Sequence, residues 1–519
     1  MSTIAEDPAA GHPPAIAGRA RGDVERRSAR WWVAAVAAGS FGMEMAVSAR
    51  YGYDRDELYF LAAGHHPAFG YVDQPPLTPL LARVTAAATG STLAGFRILP
   101  ALVLAALVVL TAATSRQLGA NRTGQVLAAL ATATCGEYLG ALHELTTTTP
   151  DFLFWTVTLY LVVRLLAGRD PRWWLAAGAC AGIGFEAKWN IGFLVLALTA
   201  GFGITSFLDP AVRPLLRSRY LVLGLLLAVA IAAPSVVWQA AHGWPQLDVF
   251  HALQGQAGHN RATYWVAQIL YTGPALTPIW VAGVVWSLRN RDARAFRPIA
   301  LASVIVIVLQ FVLGGKPYYP GAVYTFLFAA GSVPIGRWAA ARTSRAGLAW
   351  PVAVILLSAA IALPISLPVL PARVLHTVPL QKINYDLAET ISWPRQVALV
   401  ARLYGALPAP ERARTTVLTG NYGEAGAIER YGSQFRVPTA YSGANTFWLW
   451  GPPPAADTGA IAVNVDPGLL RREFTHVRKV ATFRNGLGVS DNEQGVPVYL
   501  ATGLKSSWAR AWPAFRDYG

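Results

Sequence analysis

Two adjacent carboxylates, Asp56 and Glu57, open the stretch RDELYFLAAGHHPAFGYVDQPPLTP that runs from Arg55 to Pro79. Moving a chemical group onto a hydroxyl or an amine needs a base beside the acceptor, and a partly desolvated carboxylate can be that base. Most Asp and Glu side chains are simply solvated. Here the pair follows directly on the first long apolar segment and sits among Tyr51, Tyr53, Tyr59 and Phe60. A further carboxylate, Asp73, lies beside Gln74 in the stiff segment YVDQPP. Arg55, Lys188 and Lys316 are cations that can reach the same face. We therefore expect Asp56 and Glu57 to do the acid–base work.

Lys188 belongs to FEAKWN, at the end of an apolar run. A charge at membrane depth is costly, so it must face a partner, a cavity or an interface. Glu186 is a poor partner, because residues two apart on a helix diverge. An anionic lipid phosphate is the alternative. Arg97 opens the second apolar run from the same side and raises the same question. Lys316 lies in GGKPYYP with Tyr318 and Tyr319, which reads equally as an aromatic belt with a snorkelling lysine. No H-E-x-x-H or C-x-x-C spacing marks a metal site. A divalent metal between Asp73 and a loop histidine stays open.

The elements that must position these groups are apolar helices. The chain has 519 residues, of which 54% are hydrophobic and 14% charged. A soluble domain carries nearer a quarter charged residues. About eleven runs approach bilayer-spanning length, near 31–48, 95–115, 123–141, 151–167, 173–188, 190–207, 219–238, 265–287, 298–314, 319–338 and 348–369. The segment 173–207 reads as one kinked helix or two short ones. The net charge of +15 is a topology signal rather than a nucleic-acid footprint. Alternate loops collect the arginines: Arg19 to Arg30, Arg116 and Arg122, Arg169 and Arg172, Arg213 to Arg219, Arg289 to Arg297, Arg337 to Arg345. By the positive-inside rule those loops and the N-terminus are cytoplasmic, in a multi-pass protein of the plasma (inner) membrane. The odd span count puts the C-terminal region outside.

Residues 1–30 read as a disordered basic tail, 31–369 as the transmembrane unit, and 370–519 as a small extracytoplasmic α/β domain. The outer loops 49–94 and 239–264 are the sizeable ones. In the C-terminal region short strands at 415–420, 461–465, 477–483 and 496–501 alternate with helices at 423–432 and 468–474. Cys135 and Cys180 fall in apolar runs and imply no disulfide framework.

RDELYFLA (55–62) and GYVDQPPL (70–77) together resemble the bacterial relatives of the dolichyl-phosphate-mannose protein mannosyltransferases. These form glycosyltransferase family 39 and its neighbours, with the GT-C fold, and include the aminoarabinose transferases that act on lipid A. FRILPAL (96–102), TTPDFLFW (148–155), FEAKWNIGFL (185–194), GKPYYP (315–320), NYGEAGAIERYG (421–432) and SGANTFWLWGPP (442–453) extend the likeness. The resemblance implies a polytopic GT-C-type transferase. It would take a sugar from a polyprenyl phosphate and hand it to an envelope acceptor on the outer face, with inversion. Asp56 falls on the family's base and Glu57 on the glutamate beside it. Asp73 and Gln74 fall where aminoarabinose transferases carry a Glu-Lys pair, so a metal role for Asp73 would pair it with His251, or with His259. Gln74 cannot supply the lysine's charge, so donor phosphate binding is expected from Arg55, Arg97, Lys188 or Lys316. Tyr318 and Tyr319 are expected to line the substrate site.

A transporter or flippase is the competing reading, kept alive by Glu44 and Glu186 within apolar runs. Transporters place polar groups near mid-membrane and often show repeated halves. Here polarity gathers at one surface, and no repeat is visible.

Overall fold

The computed structural model describes residues 15–342 and 345–518. The first 14 residues of the tail expected to be disordered lie outside them. From Ala15 the backbone is already helical and runs on into α1 (Ala15–Val47), so position 30 is no element boundary.

Crossing a hydrocarbon core takes about 20 apolar residues at 1.5 Å each. Among the described residues six helices are long and apolar enough, or seven if one bent pair counts as a single span. The bundle comprises α4 (Ile98–Gln117), α5 (Arg122–Ala133), α6 (Gly136–Ala141), α7 (Thr148–Gly168), α8 (Trp173–Phe185) and α9 (Ile191–Leu208). It continues with α10 (Arg219–Ala241), α11 (Pro245–Gln254), α12 (Ala257–Thr272), α13 (Thr277–Arg289), α14 (Arg297–Leu313), α15 (Val323–Ala340) and α16 (Arg345–Ser366). The first outer loop is folded too, as α2 (Arg55–His65) and α3 (Leu77–Thr89).

Eleven unbroken spans are therefore not what forms. The run at 123–141 is interrupted at Thr134 and Cys135 between α5 and α6. The run at 265–287 bends by 102° between α12 and α13. Gly273, at φ 102°, and Pro274 cause that bend, since one adopts a conformation closed to other residues and the other lacks an N–H. The segment 173–207 resolves into two helices joined by a turn that carries Lys188. Close backbone approach locks α8 to α10: a Cβ on Gly178 would run into the Gly224 carbonyl.

The C-terminal region holds a five-stranded sheet in the order β2-β1-β3-β5-β4. The strands are β1 (Thr415–Thr419), β2 (Ala440–Ser442), β3 (Gly459–Val463), β4 (Phe474–Thr482) and β5 (Pro497–Leu504). β1 pairs in parallel with β2 and β3, and β5 pairs antiparallel with β3 and β4. Every residue of β1 and β3 is buried, as a strand covered on both faces requires. Leu418, Ala460 and Ala462 face Trp508, Trp512 and Phe515. Val417, Ile461 and Val463 face the other way, into a cluster with α17 (Trp393–Gly405) and α18 (Tyr422–Phe435).

That second cluster also contains Leu58, Tyr59, Phe60 and Phe96 from the membrane unit. The sheet is thus built onto α2 rather than standing apart. Two glycines of α18 permit the contact. A Cβ on Gly426 would lie 2.8 Å from the Leu58 carbonyl carbon, and one on Gly423 would lie 2.7 Å from Cβ of Arg55. Overpacking a tight interface costs about 1–3 kcal/mol. Gly426→Leu should therefore lower the thermal unfolding midpoint of the detergent-solubilised protein. Gly405→Ala in α17, where a Cβ meets nothing within 4 Å, should leave it unchanged or slightly higher.

Candidate active site

The start of α2 is fixed by a reciprocal cap. Asp54 occupies the N-cap and its side chain accepts from the backbone of the first turn, while Glu57 Oε2 accepts from the Asp54 N–H at 2.9 Å. Glu57 also takes Arg97 Nε at 3.1 Å, Arg97 Nη2 at 2.8 Å and the Leu145 N–H at 3.1 Å. Arg97 spends its remaining N–H groups on the Ser48 carbonyl at 3.2 Å, the Gly52 carbonyl at 2.8 Å and His143 Nε2 at 3.0 Å. Burial and the Arg97 charge hold the His143 imidazole well below its usual range, so it is neutral. Its Nε2 accepts from Arg97 and its Nδ1–H donates to Glu44 at 2.9 Å.

This corrects two expectations. Glu57 is fully buried with both oxygens doubly engaged, and Arg97 is 1% exposed with every N–H donor used. Neither has a lone pair or a donor left for a substrate. They are the foundation of the site. The sequence does carry a signal for this: Asp54-x-x-Glu57 is a capping-box pattern.

Asp56 points the other way, because neighbours on a helix diverge by about 100°. Its side chain is 38% exposed, and its Oδ1 accepts from the Tyr422 hydroxyl at 2.8 Å. Arg55 Nε lies 3.9 Å away, and the same guanidinium is 3.7 Å from Glu389 and 5.6 Å from the Tyr385 ring centre. Burial, and then the Asp56 charge, push the Asp54 and Asp386 carboxyls up. Tyr422 comes from α18, whose N-terminus is set by a second reciprocal cap, Asn421 with Glu424. Tyr422, Tyr385, Asp386 and Glu389 were not singled out from the sequence. Their only local sign is the Asn421-x-x-Glu424 cap within NYGEAG.

Asp73 lies on the same rim, partly exposed. Its oxygens accept from the Tyr59 hydroxyl at 2.7 Å and the Asn445 amide at 3.1 Å. Burial pushes its carboxyl up to about 7, against those two hydrogen bonds. Gln74 is 2% exposed and its amide finds no partner among the described residues, so it sits beneath the rim and not in the substrate's path.

The Leu77 N–H donates to the Glu186 carbonyl at 2.9 Å, which sets this segment against the turn bearing Lys188. Lys188 Nζ lies 5.4 Å from the Tyr318 ring centre and 4.9 Å from that of Tyr319. Lys316 Nζ lies 5.9 Å from the Tyr318 ring centre. Asn190 ties the Lys188 turn to the tyrosine loop, bonding Asp151 at 3.2 Å and the Tyr319 carbonyl at 3.0 Å. Neither lysine makes an ion pair among the described residues. Burial and the nearby Lys316 pull the Lys188 ammonium down, while Asp151 and Asp56 hold it up. Asp56, Lys188, Lys316 and Asp386 thus lie near enough for their charges to bear on one another.

A metal does not fit the residues proposed for it. Among the described residues no group of three His, Cys, Asp or Glu side chains could hold one. Both Asp73 oxygens face N–H or O–H donors, and His251 is exposed on α11, its ring 6.4 Å from that of Phe250. His259 is exposed as well.

Two outcomes follow from this geometry. Arg97→Met strands a buried carboxylate and should cost about 3–5 kcal/mol of stability in denaturant melts, most of it recovered when Glu57 is replaced as well. Asp73 binds its proton more tightly folded than unfolded. Its contribution to stability is therefore present below about pH 4 and is lost as pH rises through about 7. Melting temperatures measured across that window should fall less steeply for Asp73→Asn than for the wild type.

No curated protein matches the chain by sequence. Residues 73–238 match the family model for dolichyl-phosphate-mannose-protein mannosyltransferases. The structure is similar to ArnT from Cupriavidus metallidurans bound to undecaprenyl phosphate, with a TM-score of 0.55 and 15% identity over 90% of this chain and 98% of that one. The apo form of the same protein gives a TM-score of 0.57 and 14% identity over 91% and 98%. At such identity the likeness is one of fold. The chain has the GT-C fold of membrane glycosyltransferases, and between residues 73 and 238 it is similar in sequence to the dolichyl-phosphate-mannose-protein mannosyltransferase family.

Proposed function

We propose that this protein is a polyprenyl-phosphate-sugar-dependent glycosyltransferase that glycosylates an envelope acceptor at the outer face of the plasma membrane. The observation that carries the reading is a solvent-reachable Asp56 in the neighbourhood of two lysines, Lys188 and Lys316, that make no ion pair among the described residues. The ArnT structure of the same fold holds undecaprenyl phosphate, a ligand with the charge those lysines would neutralise.

In the proposed reaction Asp56 takes the proton from an acceptor hydroxyl or amine. The freed electron pair attacks the anomeric carbon of the donor sugar. The bond from that carbon to the phosphate oxygen breaks and its electrons pass to the phosphate, which leaves as polyprenyl phosphate. Attack opposite the leaving group inverts the anomeric centre. Lys188 and Lys316 stabilise the charge that grows on the phosphate. Tyr318 and Tyr319 hold the Lys188 ammonium against their ring faces. Arg55 is shared with Glu389 and Asp56 and sits closer to the acceptor side. Tyr422 is a positioning residue that fixes the Asp56 rotamer through its hydroxyl. Asp73 and the Asn445 segment line the same rim. The 370–519 region covers the cleft and guides the acceptor. The arginine-rich loops keep the N-terminus in the cytoplasm, which sets the cleft on the outer side.

The transporter reading finds no support in this fold. Glu44 accepts from His143 at 2.9 Å, and Glu186 accepts from Ser235 at 2.9 Å, each through one oxygen.

Purified full-length protein with a polyprenyl-phosphate sugar should release polyprenyl phosphate. Asp56→Asn should lower that rate about 10²–10⁴-fold, the usual worth of a general base. Lys188→Met should lower kcat with the protein still folded. Vectorial lipid movement without bond cleavage, unchanged in Asp56→Asn, would instead establish transport.

A further inference from the structure

A cavity of about 400 Å³ opens at the other end of the bundle, lined by Arg116, Gln117, Arg164, Ala167, Gly168 and Trp173. It lies between the last turns of α4 and α7 and the first turn of α8. α4 starts beside Arg97, at the floor of the catalytic cleft, and is 20 residues long. Its last turn is therefore roughly 30 Å from that cleft, about the thickness of a hydrocarbon core. The cavity is a separate place on the opposite membrane face.

We propose that this cavity binds the phosphate headgroup of an anionic membrane lipid. Two arginines at this end are neutralised within the fold: Arg294 meets Asp209 at 2.8 Å and Arg337 meets Asp292 at 3.1 Å. The two that line the cavity have no carboxylate among the described residues. Arg164 is held in place without being neutralised. Its guanidinium lies 4.6 Å over the Trp173 ring and donates to the Tyr160 hydroxyl at 3.3 Å. These two contacts hold the guanidinium and leave its other N–H groups for an anion. Arg116 makes no side-chain hydrogen bond among the described residues. Two guanidiniums lining one cavity from adjacent helices supply forked donors of the kind that bind phosphate oxygens.

The surroundings favour a lipid over a free ion. Leu102, Val109 and Arg116 are spaced by seven and share one face of α4. Leu102 is 51% exposed and Val109 45%. An acyl chain attached to a headgroup at Arg116 would run along that apolar stripe towards the membrane centre. Basic recesses between spanning helices are a general means of holding anionic headgroups.

Native mass spectrometry of the full-length protein with phosphatidylglycerol or phosphatidylcholine tests the proposal. The wild type should retain one phosphatidylglycerol with about tenfold preference, equivalent to roughly 1.4 kcal/mol. The double variant Arg116→Gln/Arg164→Gln should lose that preference at an unchanged melting temperature. Arg116 has no partner to forfeit, so Arg116→Gln alone remains informative if the double variant folds poorly, and it should weaken retention severalfold. Equal retention of the two lipids, or unchanged retention in Arg116→Gln, overturns the proposal. Displacement of phosphatidylglycerol by equimolar inorganic phosphate would show a free-anion site and overturn the lipid assignment.

Discussion

The Glu57–Arg97 pair is the interaction on which the cleft depends. It joins the first turn of α2 to the start of α4, and through Ser48, Gly52, Leu145 and His143 it also joins the end of α1 and the loop before α7. A buried ion pair of this kind is a poor source of net stability, because desolvation offsets most of the attraction. What it supplies is orientation. With Glu57 pinned inward, the helix has one remaining direction for Asp56, and that direction is the cleft.

The second constraint comes from the far end of the chain. Asp56 and Tyr422 are 366 residues apart and meet because two glycines let α18 lie against α2. Asp73 is held in the same way, by Tyr59 from α2 and by Asn445 from the C-terminal region. Removing that region would unseat both carboxylates, which explains why the sheet shares its core with the outer loop. The charges then divide by function. Acids and arginines that are fully paired serve the framework, while Lys188, Lys316 and the exposed oxygen of Asp56 keep unspent capacity.

The sequence alone determined the class of molecule. Apolar runs of spanning length and short strands towards the C-terminus are local properties, and both survived in kind, with six or seven helices of spanning length among the described residues where eleven runs were expected. The strands at 415–420 and 461–465 and the helices at 423–432 and 468–474 all formed, the last as Pro467–Glu473. Where spans were misjudged, the cause was a backbone break that hydropathy does not register, as at Gly273-Pro274.

The division of labour within the site was decided only by tertiary structure. Asp56 and Glu57 are chemically alike and adjacent, and nothing local beyond a capping pattern separates them. Their roles part because Arg97, 40 residues on, takes one of them. Arg97, Lys188 and Lys316 were equal candidates as cations. Packing exhausts the hydrogen-bonding capacity of the first and leaves the other two against aromatic faces, with no ion pair among the described residues. Composition lists which groups exist, but their availability is set by which neighbours the fold brings within three ångströms, and that is a long-range property of the chain.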